Sequence, residues 1–235
     1  MMQNLRGRFF KSLGKITYRL ARNFVASTVT DLGRWYVNET LKEKFEKLST
    51  RVNNAKLTEK FLSEIKSEGN LKVNFEPMAP NGFYDAKTQQ IVISDLLKNN
   101  PFVLAHEYGH YKVGFTGKIF NLLRKKYPQL VEDSVLLELP RVVKFSLFLL
   151  FKLSPLSDKL SPIQKALLMT LILKGATLLE ELEVNIWALY KAGKEDLTSL
   201  REGIPLLLLA YSTYLTDVLF EFLETYFQML PIIDD

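Results

Sequence analysis

The stretch NPFVLAHEYGHYKVG, residues 100–114, decides how the middle of this chain folds. Asn100 can cap the free amides of a helix, and Pro101 has the fixed φ that suits a first helical position. Gly114 is typical of a residue that ends a helix. The stretch therefore predicts a single helix of about three turns between these two signals.

Both histidines of the chain lie on this predicted helix. His106 and His110 are four residues apart and so share one face, where both imidazoles can reach one metal ion. Zinc accepts neutral imidazole nitrogen, and a catalytic zinc site has three protein ligands and a water molecule. Glu107 lies beside the ligands and is placed to take a proton from that water. The alternative is two histidines on an ordinary helix surface.

The third ligand of such a site has to be a carboxylate, because the chain has no cysteine and no further histidine. The segment EELEVNIWA, residues 180–188, places three glutamates in a strongly apolar stretch, where charged side chains need a reason. From the residues alone, Glu180, Glu181 and Glu183 are all candidate ligands. Each of them could instead be a solvated residue on a helix surface.

The same segment resembles the second motif of the gluzincin metallopeptidases, E-x-x-A-[DN]-x-[FW]-A. It is similar to the pattern of the ImmA/IrrE-like peptidases and, more distantly, of the membrane peptidases related to HtpX. The resemblance implies Glu181 as the third zinc ligand and Asn185 as the residue that supports a ligand histidine by a hydrogen bond. These two residues are four apart and share a helix face. Val184 departs from the usual alanine. The resemblance covers residues 71–115 and 175–192.

The resemblance implies a zinc metalloendopeptidase that binds one Zn²⁺ per chain. It would hydrolyse a peptide or protein substrate with a metal-activated water, and Glu107 would be the general base. Beyond zinc, a tyrosine, an arginine or backbone amides would stabilise the oxyanion, and the choice stays open; the conceivable tyrosines are Tyr84, Tyr190, Tyr211 and Tyr214. Three alternatives remain: a self-inhibited protease covered by its N-terminal helices, a membrane-associated protease, and a non-catalytic interaction protein with a vestigial site.

The rest of the sequence predicts an α+β fold that is mostly α. Alternating apolar residues over 71–75 predict a strand, and residues 83–94 predict a hairpin or an edge strand of a small sheet. In zincins an edge strand such as 89–94 binds extended peptide by strand addition. Residues 1–68 are expected to be helical, with a polar break at 49–54. From residue 121 onward the pattern predicts only helices, with breaks near Pro128 and Pro140 and at 154–161, 192–194 and 203–205.

This pattern predicts two parts. Residues 1–68 form a helical N-terminal extension, basic at its start, and residues 69–235 form a zincin-like metallopeptidase domain. The domain combines the small sheet, the H-E-x-x-H helix and a C-terminal helical bundle.

Charge and hydropathy leave the cellular location open between two readings. The net charge is +5, and residues 1–30 carry six basic side chains and no acid, on an amphipathic pattern that packs on protein or on anionic lipid. Segments 142–153, 163–179 and 204–227 are apolar around much of their circumference, as in a buried core, an interface or a membrane. The longest uncharged stretch, 203–216, is shorter than the roughly 18 to 20 residues of a spanning helix. We expect a cytoplasmic protein, with membrane association as the alternative and no nucleic-acid partner.

Overall fold

The structure is a computed structural model of the chain. It describes residues 2–126 apart from 78 and 80, residues 146, 149–151 and 154, and residues 159–230. These residues are mostly helical and include one small three-stranded sheet, so the mostly helical α+β class is confirmed. Most of the apolar segment 142–153 and the breaks expected near Pro128 and Pro140 lie outside the described residues.

The chain forms two compact units, and three of its helices contribute to both. The first unit comprises residues 1–38, 144–175 and 216–235, and the second comprises residues 39–143 and 176–215. Residues 39–68 therefore belong to the same unit as the strands and the two histidines. The sheet, the H-E-x-x-H segment and the glutamate segment all lie within the second unit.

Two helices precede the sheet. Helix α1 is Met2–Ser49 and helix α2 is Ala55–Ser67, separated by the polar break that the sequence predicts. The side chain of Asn54 accepts a hydrogen bond from the amide of Leu57 and so caps α2. Phe61 and Ile65 of α2 are fully buried. Helix α2 is therefore part of the core of the second unit.

The sheet contains the strands β1 (Lys72–Glu76), β2 (Gly82–Asp85) and β3 (Gln90–Ser94). Their order is β1-β3-β2: β1 pairs with β3 in parallel, and β2 pairs with β3 in an antiparallel hairpin. The hairpin is confirmed, but the expectation that residues 89–94 form the edge is wrong. Strands β1 and β2 pair with opposite sides of β3, so β3 is central and β2 is an edge.

Helix α3 is Pro101–Lys112, and helix α4, Phe115–Lys126, follows after a short turn. The predicted start of α3 is confirmed, because the Asn100 side chain accepts hydrogen bonds from the amides of Phe102 and Val103. Asn100 also donates to the carbonyl of Ser49 at 2.8 Å and is buried. One side chain therefore caps α3 and fixes α1 beside it.

The core of the second unit lies around α3. Its fully buried large side chains come from α2, β3, α3 and the C-terminal helix Leu200–Met229. They are Phe61, Ile65, Ile91, Ile93, Phe102, Leu104 and Leu206. Alternation on a strand and the 3.6-residue repeat of a helix bring one apolar face of each element to this core. The face of α3 that carries His106 and His110 is thereby held in place by the packing of its opposite face.

Two long helices complete the described residues. Helix α5 is Pro162–Glu195 and helix α6 is Leu200–Met229. The break expected at residues 203–205 is wrong, because α6 runs through Pro205. This proline lies past the first turn of α6, so the helix continues without the hydrogen bond that an amide at this position would donate. Among the described residues, α6 with its leading turn, Leu197–Met229, is the one helix long and apolar enough to cross a membrane.

A first prediction concerns Asn100. Asn100→Ala should lower the free energy of unfolding of the protein by about 2 kcal/mol, because it removes the α3 cap and leaves the buried Ser49 carbonyl unpaired. Denaturant unfolding measures this loss. The neighbouring Asn99→Ala is the matched control, since the Asn99 side chain is only half-buried and does not cap α3. Equal stability of the two variants would contradict the double role of Asn100.

Candidate metal centre

Helix α3 presents both histidines on one side. The ring centroids of His106 and His110 are 5.0 Å apart and the ring planes are at 87°. His106 is 8% exposed and His110 is half-buried. Buried imidazoles are held in place by their neighbours, so the partners of the four ring nitrogens decide what this pair can bind.

Glu181 of α5 lies between the two imidazoles. Its Oε2 is 3.4 Å from Nε2 of His106, and its Oε1 is 3.6 Å from Nε2 of His110. Each of the three side chains offers one ligand atom within 4.8 Å of the other two, and the group is largely buried. His106, His110 and Glu181 could therefore hold a metal ion, and the structure brings the three predicted ligands together.

Asn185 lies one turn further along α5 and contacts His106. Its Oδ1 is 2.8 Å from Nδ1 of His106. An amide oxygen only accepts, so Nδ1 carries the proton and donates it, which leaves a lone pair on Nε2. That lone pair faces a carboxylate oxygen of Glu181 that is buried and has no hydrogen-bond partner. Two electron-rich atoms facing each other at this distance fit a cation between them.

The other two glutamates of the segment have different surroundings. Glu180 faces the opposite nitrogen of His110, with Oε1 3.3 Å from Nδ1. Its second oxygen accepts from the hydroxyl of Thr116 at 2.8 Å. Glu183 is about half exposed and lies 3.6 Å from Lys118. Neither belongs to the group of converging ligand atoms around Nε2.

Glu107 follows the first histidine and is 7% exposed. Burial raises the pKa of its carboxyl, while the two histidines and a hydrogen bond from the main-chain amide of Tyr84 oppose that rise. Burial alone would lower the pKa of His106, but the carboxylates of Glu181 and Glu107 outweigh it and raise this pKa. The centre therefore favours positive charge and holds one carboxyl that keeps a proton more readily than usual.

A cavity of about 320 Å³ opens in front of the centre. Helices α3 and α5 and strand β2 contribute to its lining, which includes His106, Glu107, His110, Glu181, Phe83 and Thr177. Of the four tyrosines left open from the sequence, Tyr84 and Tyr214 line this cavity. Tyr190 is 67% exposed on the surface. One cavity is therefore lined by the three candidate ligands and Glu107, together with Tyr84 and Tyr214.

Gly109 sets how closely α3 and α5 approach. A Cβ built at this position would lie 2.9 Å from Cγ1 of Val184 and 3.1 Å from the ring of Trp187. Real side chains do not tolerate the shorter distance, so any larger residue pushes the two helices apart. Glu181 and Asn185 are on the turn of α5 that faces this glycine. The sequence shows the glycine but not the helix that it meets.

The second prediction follows from this contact. Gly109→Ala should lower the free energy of unfolding by about 1–3 kcal/mol through overpacking. Adding Val184→Ala should recover part of the loss, because it removes the methyl groups that the new Cβ meets. Urea unfolding of the single and double variants measures both effects. If Gly109→Ala instead stabilises the protein by about 1 kcal/mol, as alanine does in an open helix, the close approach is wrong.

Comparison of this chain with protein-family models, with curated proteins and with solved structures finds no match. The ligand preference of the centre is therefore inferred from the chemistry of its side chains. Two imidazole nitrogens and one carboxylate suit a borderline divalent cation such as zinc. Three converging ligands leave a fourth position, on the side of the cavity, for water or a bound molecule.

Proposed function

We propose that this protein is a zinc-dependent metallopeptidase. One observation carries the proposal: the Nε2 sides of both histidines converge on Glu181, and Glu107 lines the same cavity. His106, His110 and Glu181 would hold the ion. Three protein ligands and an open position are typical of catalytic zinc, whereas structural zinc has four protein ligands.

When bound, zinc supplies Lewis-acid activation of a water molecule and of the scissile carbonyl. Glu107 would accept a proton from the attacking water and pass it to the leaving amine. Its burial supports this exchange, because a carboxyl in an apolar place can hold a proton between the two transfers. The Tyr84 amide fixes the carboxylate by a hydrogen bond. Tyr214 lines the cavity and is a candidate to stabilise an oxyanion, whereas the hydroxyl of Tyr84 is buried and inaccessible.

Strand β2 is the candidate substrate-binding edge. The amide of Ser94 donates to the carbonyl of Asn81. Because hydrogen-bonded pairs alternate in an antiparallel ladder, the main-chain amide and carbonyl of Phe83 point toward β3, and those of Gly82 and Tyr84 point away from it. The outward groups lie at the cavity, where Gly82 and Tyr84 are lining residues. The Tyr84 amide donates to Glu107, so an extended peptide would add to β2 through the main-chain groups of Gly82 and the carbonyl of Tyr84, which favours a peptide or protein substrate.

The third prediction tests metal and catalysis separately. Wild type should contain about one zinc per chain and cleave a mixed peptide library. Glu107→Gln should keep the zinc but lose at least about 100-fold in kcat/KM, because the proton acceptor is gone. Glu181→Ala should lose the zinc. Elemental mass spectrometry and peptide cleavage measure both.

Glu183→Gln is the matched control for this experiment. It removes an acid from the same helix segment that contacts Lys118 rather than the histidines. It should keep both metal and cleavage. Wild type without zinc after zinc is supplied would overturn the metallopeptidase proposal. Zinc without cleavage of any peptide would favour the non-catalytic alternative.

We also propose that the first unit is embedded in a membrane, as in the membrane-associated alternative. Its described buried side chains are mostly small or hydroxylated, and they are Ala26, Thr30, Phe151, Ala166, Met169, Thr170 and Thr225. Small residues at helix contacts are typical of helices that pack in lipid. A water-soluble helical bundle would place large apolar side chains there.

Charged side chains of the first unit lie between its helices. Arg34 of α1 is 4.0 Å from Glu221 and 3.9 Å from Glu224 of α6, and all three are about a quarter exposed. Asn38 donates to Asp217 at 3.1 Å. Ionisable residues in membrane helices face the bundle interior and pair with one another. These pairs follow that rule.

Large apolar side chains cover the outside of the same helices. Those more than half exposed include Leu20, Phe24, Val25, Val29, Leu32, Trp35, Ile163, Leu167, Leu171 and Leu219. The apolar window of α6 is only 11% buried, unlike the core helix of a soluble protein. Exposed apolar patches beyond a few hundred Å² are rare on soluble monomers. The partner that fits this surface is the hydrocarbon of a lipid bilayer.

The fourth prediction concerns this surface. The protein should sediment with membranes and resist alkaline carbonate extraction. Phe24→Lys together with Leu219→Lys should increase its extraction, because each charge at the bilayer centre costs about 2.5–3.5 kcal/mol. Leu96→Lys is the control, since Leu96 is 79% exposed in the second unit. A detergent-free, monodisperse wild-type monomer would contradict membrane embedding.

A further inference from the structure

We infer that Glu180 is a positioning residue for His110, acting through the imidazole rather than as a metal ligand. This inference rests on the proposed zinc site. Glu180 lies next to the ligand Glu181 in the chain, but the helix turns its carboxylate to the other side of His110. The structure thus assigns different functions to two adjacent glutamates.

The contacts of Glu180 fix both of its oxygens. Oε1 lies 3.3 Å from Nδ1 of His110. Oε2 accepts from the Thr116 hydroxyl at 2.8 Å and from the Thr116 amide at 3.4 Å. The side chain is 12% exposed. A carboxylate held on both oxygens has little freedom to rotate, so it can hold an imidazole ring in one orientation.

The turn between α3 and α4 leaves just enough room for this arrangement. A Cβ at Gly114 would lie 2.7 Å from Oε1 of Glu180 and 2.7 Å from the carbonyl oxygen of His110. Thr116 is in the first turn of α4, where free amides attract a negative charge. Glu180 therefore connects three elements: the end of α3, the start of α4 and helix α5.

The hydrogen bond has an electronic consequence for His110. When a metal ion occupies Nε2, the proton of the neutral imidazole is on Nδ1, where the Glu180 carboxylate accepts it. A charged acceptor also makes the imidazole a stronger donor to a metal than a neutral acceptor does. His106 has the neutral amide of Asn185 in the same place. The two histidines are therefore held by matching geometry but by partners of different charge.

The experiment measures zinc affinity by competition with a chromophoric chelator. Glu180→Ala should weaken zinc binding about 10- to 100-fold, the usual loss when a residue supporting a ligand histidine is removed. Glu180→Gln should weaken it less, because an amide oxygen still accepts from Nδ1–H. Glu183→Gln should bind zinc as wild type does. Thr116→Val, which removes the hydroxyl donor to Glu180 but keeps the amide donor, should give a smaller loss than Glu180→Ala.

A second readout separates positioning from a general structural effect. The chain has only two histidines, so ¹⁵N NMR of the zinc-loaded protein resolves both imidazoles. In wild type the Nδ1–H of His110 should exchange slowly with water, because Glu180 accepts it. Glu180→Ala should abolish that protection at His110 and leave His106 unchanged.

Two outcomes are decisive. If wild type binds zinc and Glu180→Ala binds it equally well, with an unchanged His110 spectrum, this inference is wrong and the proposed function stands. If Glu180→Ala abolishes zinc binding completely, as Glu181→Ala should, Glu180 is a ligand and the inference is also wrong. Absence of zinc from wild type would instead overturn the proposed function itself.

Discussion

The approach of α5 to α3 is the contact on which the candidate site depends. At Gly109 the missing side chain lets Val184 come close, and the turn of α5 that carries Val184 also carries Glu181 and Asn185. A wider separation would leave the histidines on α3 without their third ligand. The packing of α3 on α2, β3 and α6 in turn holds the opposite face of the helix still. The packing of the core therefore also fixes the distances between the candidate ligands.

Much of the site could be predicted because its residues are local in sequence. The start of α3 and the shared face of the histidines follow from helix geometry, and the carboxylate nature of the third ligand follows from composition. What could not be predicted depends on distant elements. Strand β2 is an edge because it pairs with β3 on the side opposite β1. The alternation of apolar and polar residues along a strand does not encode which side of its neighbour the strand takes. The contact of Glu180 with Thr116 depends on the turn between α3 and α4.

The two units differ in the size of the side chains that they bury. In the second unit large apolar side chains such as Phe61 and Phe102 are inside. In the first unit small side chains such as Ala26 and Ala166 are inside, while Phe24 is 72% exposed. The sequence shows the apolar helices but cannot say which face is outward, because both faces are apolar over much of their length. For the proposed membrane embedding, the position of Arg34 beside Glu221 would mark the inward faces of the helices, since charges avoid hydrocarbon.

The buried carboxylates connect the stability of the second unit to the proposed ion. Glu107 and Glu181 are both nearly inaccessible to water, and one oxygen of Glu181 has no hydrogen-bond partner among the described residues. Burial of an unpaired charge is unfavourable unless a proton or a cation compensates it. Burial raises the pKa of the Glu107 carboxyl, and the excess of negative charge on Glu181 and Glu107 raises the pKa of His106. A cation between the histidines and Glu181 would remove this excess, so binding at the centre and folding around it are thermodynamically linked.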